Sequence, residues 1–222
     1  MMPCTADLQG MALARAQLYA QLSLLLASPR DAVAEGWGSP AEALAQLALA
    51  VEGLPFSLVG ASGPRPQAAL EDVPALLAAD IARSHAALFE VGDRGPPLAL
   101  REELAPGANP AAKEEVARFY EHFGYELGEA YAWRPDHLSV LLEFMHFLAW
   151  HEAQGDQADG LRIAQRDFLR RHVAGWLPGV AAAAAAREDC APLLAGTLSL
   201  AADFIVTDLA WLEAGLSTDT QD

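Results

Sequence analysis

Residues Arg134 to Trp150 read RPDHLSVLLEFMHFLAW. Pro135 fixes its own φ and disfavours helix in Arg134, while Asp136 offers a carboxylate to the amides that open a following helix. A helix is therefore expected to start at about His137. From Leu138 to Trp150 the apolar side chains fall at 138, 140, 141, 142, 144, 145 and 147 to 150, which leaves no wide polar stripe at the helical period. Such a helix is buried on most sides. Glu143 and His146 interrupt it, and Asp136 and His137 stand at its positive end. There the helix dipole favours a carboxylate and disfavours imidazolium, so His137 is expected to be neutral, donating from one ring nitrogen and accepting on the other. An acidic oxygen beside a neutral imidazole at the mouth of a buried helix suits peptide recognition, and it suits simple capping equally well.

Moving outward, the rest of the chain alternates helical periodicity with Pro and Gly clusters and lacks runs of alternating β-branched and aromatic residues, so the class is all-α. The 222 residues, 53% of them apolar, are enough for one domain with its own core. A single helical bundle over residues 1–222 is expected, with a frayed acidic tail from about Leu216. Helices are expected over Asp7 to Ala27, Pro40 to Val51, Val73 to Val91, from Asn109 as cap to Gly124, over Gly160 to Val173, through the alanine run Ala181 to Ala186, and over Pro192 to Leu212. Glu52 to Gln67 and Gly92 to Asn109 read as connectors, the second long enough to move on binding.

Charge narrows the function. Thirty acidic residues against 14 basic ones leave a formal net charge of −16, and Lys113 is the single lysine. A nucleic-acid or anionic-membrane surface needs a dense basic face, so neither partner is expected. An acidic surface attracts a basic partner. Cys4 and Cys190 are too few and too far apart for a disulfide framework or a CxxC metal site, which fits reduced thiols in the cytoplasm. The apolar stretch Leu22 to Ala27 is not read as a secretion signal, because Asp7, Gln17, Gln21 and Ser23 break its pattern. No uninterrupted apolar run approaches the ~18 residues of a membrane span.

Catalytic constellations are weak. Asp136, His137 and Ser139 are neighbours in sequence and point in different directions from a helix start, whereas a catalytic triad is an arrangement in space. Glu143 and His146 form the E-x-x-H element of di-iron bundles, but a second copy is absent, so no metal is expected; a helical metal enzyme built on these two residues is the alternative reading. His85, His122, His151 and His172 lack metal spacing. Glu143 among Leu141, Leu142, Phe144 and Met145 is either a carboxylate tying helix to loop or a groove acid for a cationic ligand. The stripe Arg162, Arg166, Arg170 reads as a solvated face. There is no phosphate loop and no dinucleotide fingerprint, and no cofactor is expected.

The chain resembles the TorD/DmsD/NarJ family of cytoplasmic chaperones for molybdenum enzymes. Pro135, Asp136, His137, Leu138, Leu142, Glu143, Phe144 and Met145 match the family's Pro-Asp-His and the helix after it; Arg15, Leu18, Tyr19, Leu22 and Pro29 look like its opening helix. Leu88 and Phe89, then Phe119, Tyr120 and Gly124, then Phe168, Leu169, His172, Trp176 and Pro178 resemble its later blocks in order. Trp133 stands where the family carries an acidic residue, and the family's Tyr-Glu-Ser signature is absent from Pro96 to Leu104. The resemblance implies a non-enzymatic, all-helical protein, a monomer or a helix-swapped dimer. It would bind the twin-arginine leader and apo catalytic subunit of a molybdopterin-containing oxidoreductase, hold back export and support cofactor insertion. On that reading Asp136 and His137 shape or contact the leader site, Phe89, Tyr120 and Trp133 supply apolar wall, and Glu143 is a candidate groove acid. Core packing or capping is the other reading of these residues. A general helical scaffold, indifferent to leaders, is the remaining alternative.

Overall fold

The computed structural model describes residues 5–28, 40–58, 83–90, 96–107, 109–128, 131–155 and 158–218. Its helices are α1 (Thr5–Leu26), α2 (Pro40–Glu52), α3 (Ala112–Phe123), α4 (Leu138–Ala153), α5 (Ala158–His172), α6 (Leu177–Ala185) and α7 (Pro192–Thr218), with a π-helical turn at Ala86–Glu90 and a 3₁₀ turn at Glu102–Leu104. The described residues form no strand beyond an isolated antiparallel bridge between Arg101 and His137. The fold is all-α. The expected stop of the first helix at Pro29, most of the helix expected over Val73 to Val91, the opening of the loop expected from Gly92, and Cys4 lie outside the described residues.

Helix α4 is the centre. Leu138, Val140, Leu141, Leu142, Phe144, Met145, Leu148 and Ala149 are all buried, as its uninterrupted apolar pattern requires. Its most extensive contact is with α1, and it also packs on α5, while α7 closes the other side through α5 and α6. Phe144 sits among aromatic rings, 4.8 Å from both Tyr120 and Phe168 between centroids, and burying such a ring stabilises the fold by roughly 1.5–3 kcal/mol.

Several boundaries differ from the sequence reading. Asn109 does not cap α3; its side-chain oxygen accepts the N–H of Ala111 and its carbonyl accepts that of Ala112, so Asn109 and Pro110 make a turn and the helix opens at Ala112. Gly124 ends α3 as expected, at φ +66°, a left-handed conformation open to glycine without cost. The arginines of the α5 stripe are paired with carboxylates, Arg162 with Glu152 at 3.3 Å, Arg166 with Asp167 at 2.8 Å and the exposed Arg170 with Glu213 at 2.6 Å. Helix α7 runs to Thr218, past the expected start of the tail. By length and average hydropathy its span Pro192–Ser217 would also cross a membrane, although Thr197, Asp203, Thr207 and Asp208 interrupt the apolar run. Half of its most apolar 18-residue stretch is buried inside the fold, and Asp208 is fully buried.

Candidate functional site

The Pro-Asp-His segment joins the turn before α4 to the strap Leu98–Ala105. Leu138 donates its N–H to the Leu100 carbonyl at 2.7 Å, and Glu102 donates to the Asp136 carbonyl at 3.1 Å. Asp136 is fully buried, and its carboxylate faces the strap: one oxygen accepts the N–H of Glu103 at 3.1 Å, the other lies 3.4 Å from the Arg101 guanidinium. It does not cap α4, as the sequence reading expected. His137 does that, with Nδ1 accepting the Ser139 N–H at 3.3 Å and standing 2.8 Å from the Ser139 hydroxyl. Because Nδ1 already accepts an amide proton, the hydroxyl is its second donor and the ring proton sits on Nε2. His137 is neutral: burial, with Arg134, His85 and Arg101 adding repulsion, pushes its pKa down to about 3.

Two further groups lock the strap and the turn. Nδ1 of the buried His172 on α5 donates to the buried Glu102 carboxylate at 3.0 Å. The Tyr120 hydroxyl on α3 donates to the Pro135 carbonyl at 2.9 Å, and burial, reinforced by Tyr125, Asp136, Glu143 and Glu102, raises its pKa well above the usual phenol range. A charge is therefore absent from Tyr120 at neutral pH.

The candidate residues fall into three environments. Asp136, His137, Tyr120 and Phe89 are buried, Phe89 in the π-helical turn and edge-on to His85 at 4.9 Å. Glu143, expected to be a buried carboxylate, is half-buried on α4. Trp133 is 63% exposed on the turn before Pro135, with the guanidinium carbons of Arg134 and Arg101 4.8 Å and 5.8 Å from its ring centre. Asp136, His137 and Tyr120 thus act on one turn from inside, and Trp133 is the part of that turn presented outward. His146 donates from Nδ1 to the Ala16 carbonyl at 2.9 Å, which ties α4 to α1. Among the described residues no three His, Cys, Asp or Glu side chains converge as metal ligands would.

One polar cluster escaped the sequence reading. Arg15 is fully buried, and its guanidinium donates to Asp208 at 2.6 Å and 3.0 Å, to Glu152 at 2.9 Å and to Gln165 at 2.5 Å. Tyr19 also donates to Asp208, at 2.6 Å. Burial works against the Arg15 charge, but Asp208 and then Glu152 outweigh it and hold the guanidinium protonated. The available signal was Arg15 on the same helical face as Leu18 and Leu22; its partners, on α4, α5 and α7, had none.

The model of the nitrate reductase delta subunit family matches residues 31–182, which hold the strap, the Pro-Asp-His turn, α3, α4 and α5. The chain belongs to the nitrate reductase delta subunit family. It is 36% identical over 162 residues to the dimethyl sulfide dehydrogenase assembly chaperone protein of Rhodovulum sulfidophilum, covering 67% of this chain and 62% of that one. It is 37% identical over 111 residues to the selenate reductase assembly chaperone protein of Thauera selenatis, and 34% over 111 residues to the chlorate reductase assembly chaperone protein of Ideonella dechloratans. Each of these two matches covers 47% of this chain and 58% of the relative, so the chain spans little more than half the length of the first curated relatives it matches. No solved structure matches the chain. Arg15 and Asp208 lie on either side of the segment shared with the family model, and their ion pair joins the two flanks to helices inside it.

Proposed function

We propose that this member of the delta subunit family is a system-specific assembly chaperone. It binds the apo catalytic subunit and twin-arginine leader of a molybdenum oxidoreductase in the cytoplasm, holds back export, and releases the client once molybdopterin cofactor is in place. The observation that carries the reading is the division of labour at the Pro-Asp-His turn: a buried set of Asp136, His137 and Tyr120 holds the turn rigid, and Trp133 is displayed on it. A rigid exposed aromatic is the kind of anchor that peptide recognition uses. The names of the relatives and the net charge of −16, suited to a basic leader, support the same conclusion.

On this reading the protein is not an enzyme and carries no cofactor of its own. Phe89, Tyr120, Asp136 and His137 shape the site from beneath, and Trp133 and the half-buried Glu143 are the side chains left to meet a basic peptide. Whether it acts as a monomer or a helix-swapped dimer follows from sedimentation.

The test is capture of the tagged protein from its native cytoplasm under conditions where the client enzyme is made, comparing wild type with Trp133→Ala. Enrichment of a molybdenum-enzyme precursor with its leader intact, reduced in the variant, is the expected result. Recovery of stoichiometric metal with the purified protein, lost in Glu143→Ala or His146→Ala, would overturn it in favour of the metal-enzyme alternative.

A further inference from the structure

Helices α3 and α5 leave between them a surface groove of about 440 Å³, lined by no residue of the Pro-Asp-His turn and unused by the function proposed above. Its floor is apolar: Phe119 and Phe123 from α3, Ile163 and Ala164 from α5, with Ile163 43% exposed. Phe119 is held in place from below, edge-on to Phe168 at 5.2 Å and to His172 at 5.7 Å, so the floor is part of the packed core and not a loose flap.

The rim is unusual for so acidic a protein. Of its two carboxylates, Asp167 is paired with Arg166 at 2.9 Å, and Glu115, which keeps its charge, accepts from the Asn109 amide at 3.0 Å. Arg118 on α3 and Arg171 on α5 also line the groove; both are exposed, and neither makes a hydrogen bond or ion pair among the described residues. His122 adds a third basic side chain, edge-on to Phe123 at 4.8 Å. On a chain of net charge −16, Arg118 and Arg171 are arginines without a carboxylate partner among the described residues, whereas their neighbours Arg162, Arg166 and Arg170 are paired.

We infer that the groove between α3 and α5 is a second peptide-docking site, for an apolar segment that carries carboxylates. The argument is charge complementarity: the floor takes aliphatic or aromatic side chains, and Arg118 and Arg171 take the acids that flank them. A basic leader is repelled by the same two arginines, so the groove and the turn select opposite chemistries. Resting on the chaperone reading, the occupant is then a stretch of the mature client and not its leader. Holding a client at two chemically distinct points raises the effective concentration of each for the other without new contacts at either.

The experiment uses the full chain and a random-peptide phage library, selected on wild type and counter-selected on the Arg118→Glu/Arg171→Glu variant. The expected consensus pairs aliphatic or aromatic residues with Asp or Glu. A synthetic consensus peptide binds wild type about tenfold more tightly than the double variant, and its Lys-for-acid counterpart shows the reverse order. Both substitutions are at exposed positions, so an unchanged circular dichroism spectrum and urea midpoint accompany the change. Ile163→Asp, which puts a charge on the floor, weakens the peptide through the apolar half of the site. A consensus without acids, equal binding to the double variant, or no enrichment that depends on the groove would overturn the inference. So would concentration-dependent dimerisation abolished by Ile163→Asp, which assigns the groove to a second copy. Loss of a synthetic twin-arginine leader peptide in the double variant would make the groove the leader site and also overturn it. Failure of Trp133→Ala to affect that leader peptide bears on the turn alone.

Discussion

The carboxylate of Asp136 accepts the backbone N–H of Glu103 at 3.1 Å, and through that bond a residue at the mouth of the central helix holds a strap 33 positions earlier in the chain. The same carboxylate faces Arg101, which is itself bonded to Glu103, and Lys113 reaches Glu103 at 2.8 Å. Asp136 is fully buried, so its effect on any ligand passes through the strap and the turn that carries Trp133.

Asp136→Ala leaves the Glu103 amide without its acceptor and takes from the Arg101 guanidinium one of its two carboxylates, the other being Glu103. A loss of about 2–3 kcal/mol is expected in urea unfolding, with the helical circular dichroism spectrum kept. Asp136→Asn retains one acceptor oxygen and is expected to lose less. Client binding falls with the strap, so protection of the Glu102 and Glu103 amides from hydrogen exchange should fall in parallel with affinity.

Trp133→Ala separates display from support. The side chain is mostly exposed and its contacts are with two arginines, so stability is expected to change by less than about 0.5 kcal/mol. Affinity for a leader peptide, read by fluorescence anisotropy, is expected to fall by about tenfold. An unchanged affinity would move the leader site elsewhere.

His137 gives the fold a pH dependence with a definite sign. Its pKa is about 3 when folded and about 6.5 when unfolded, so between these values the unfolded chain binds the extra proton. The neutral imidazole contributes its full stability above pH ~6.5, and that contribution is lost as pH falls toward 3. Wild type is expected to lose roughly 2–3 kcal/mol more than His137→Asn between pH 7 and pH ~4.5, with asparagine keeping an acceptor for the cap. Urea midpoints of the two proteins at the two pH values check this.

Arg15→Ala strands Asp208 as a buried carboxylate met, among the described residues, only by the Tyr19 hydroxyl, while Glu152 keeps Arg162 and Gln165. A loss of about 3–5 kcal/mol is expected, since removing one partner of a buried ion pair leaves the other uncompensated. Adding Asp208→Asn removes the stranded charge and should recover part of the loss; a double-mutant cycle in urea measures the coupling.

The fold class and the middle of the molecule were legible in the residues. Leu138 to Trp150 admits no polar face, so a helix there has to be central, and Gly124 marks the end of α3 because its left-handed backbone excludes most other residues cheaply. Neutral His137 was legible too, although the cause is burial first, then Arg134, His85 and Arg101, where the sequence argument rested on the helix dipole. Periodicity and local chemistry are properties of neighbours in sequence, and these features depend on nothing else.

Partnership across the chain is different in kind. Asp136 looked like a cap because capping is the local use of a carboxylate at a helix start; the structure turns it to Glu103 and leaves the cap to His137. Arg15 meets Asp208 across 193 positions, and Phe119 and Ile163 share a groove only because α3 and α5 lie side by side. A hydrogen bond or an ion pair needs its two groups within a few ångströms, and no pattern along one segment records which distant segment will supply the second. Periodicity and composition make the protein helical around Leu138 to Trp150 and acidic overall; contacts between distant segments turn Asp136 inward and Trp133 outward, and tie α1 and α7 to α4 and α5 through Arg15.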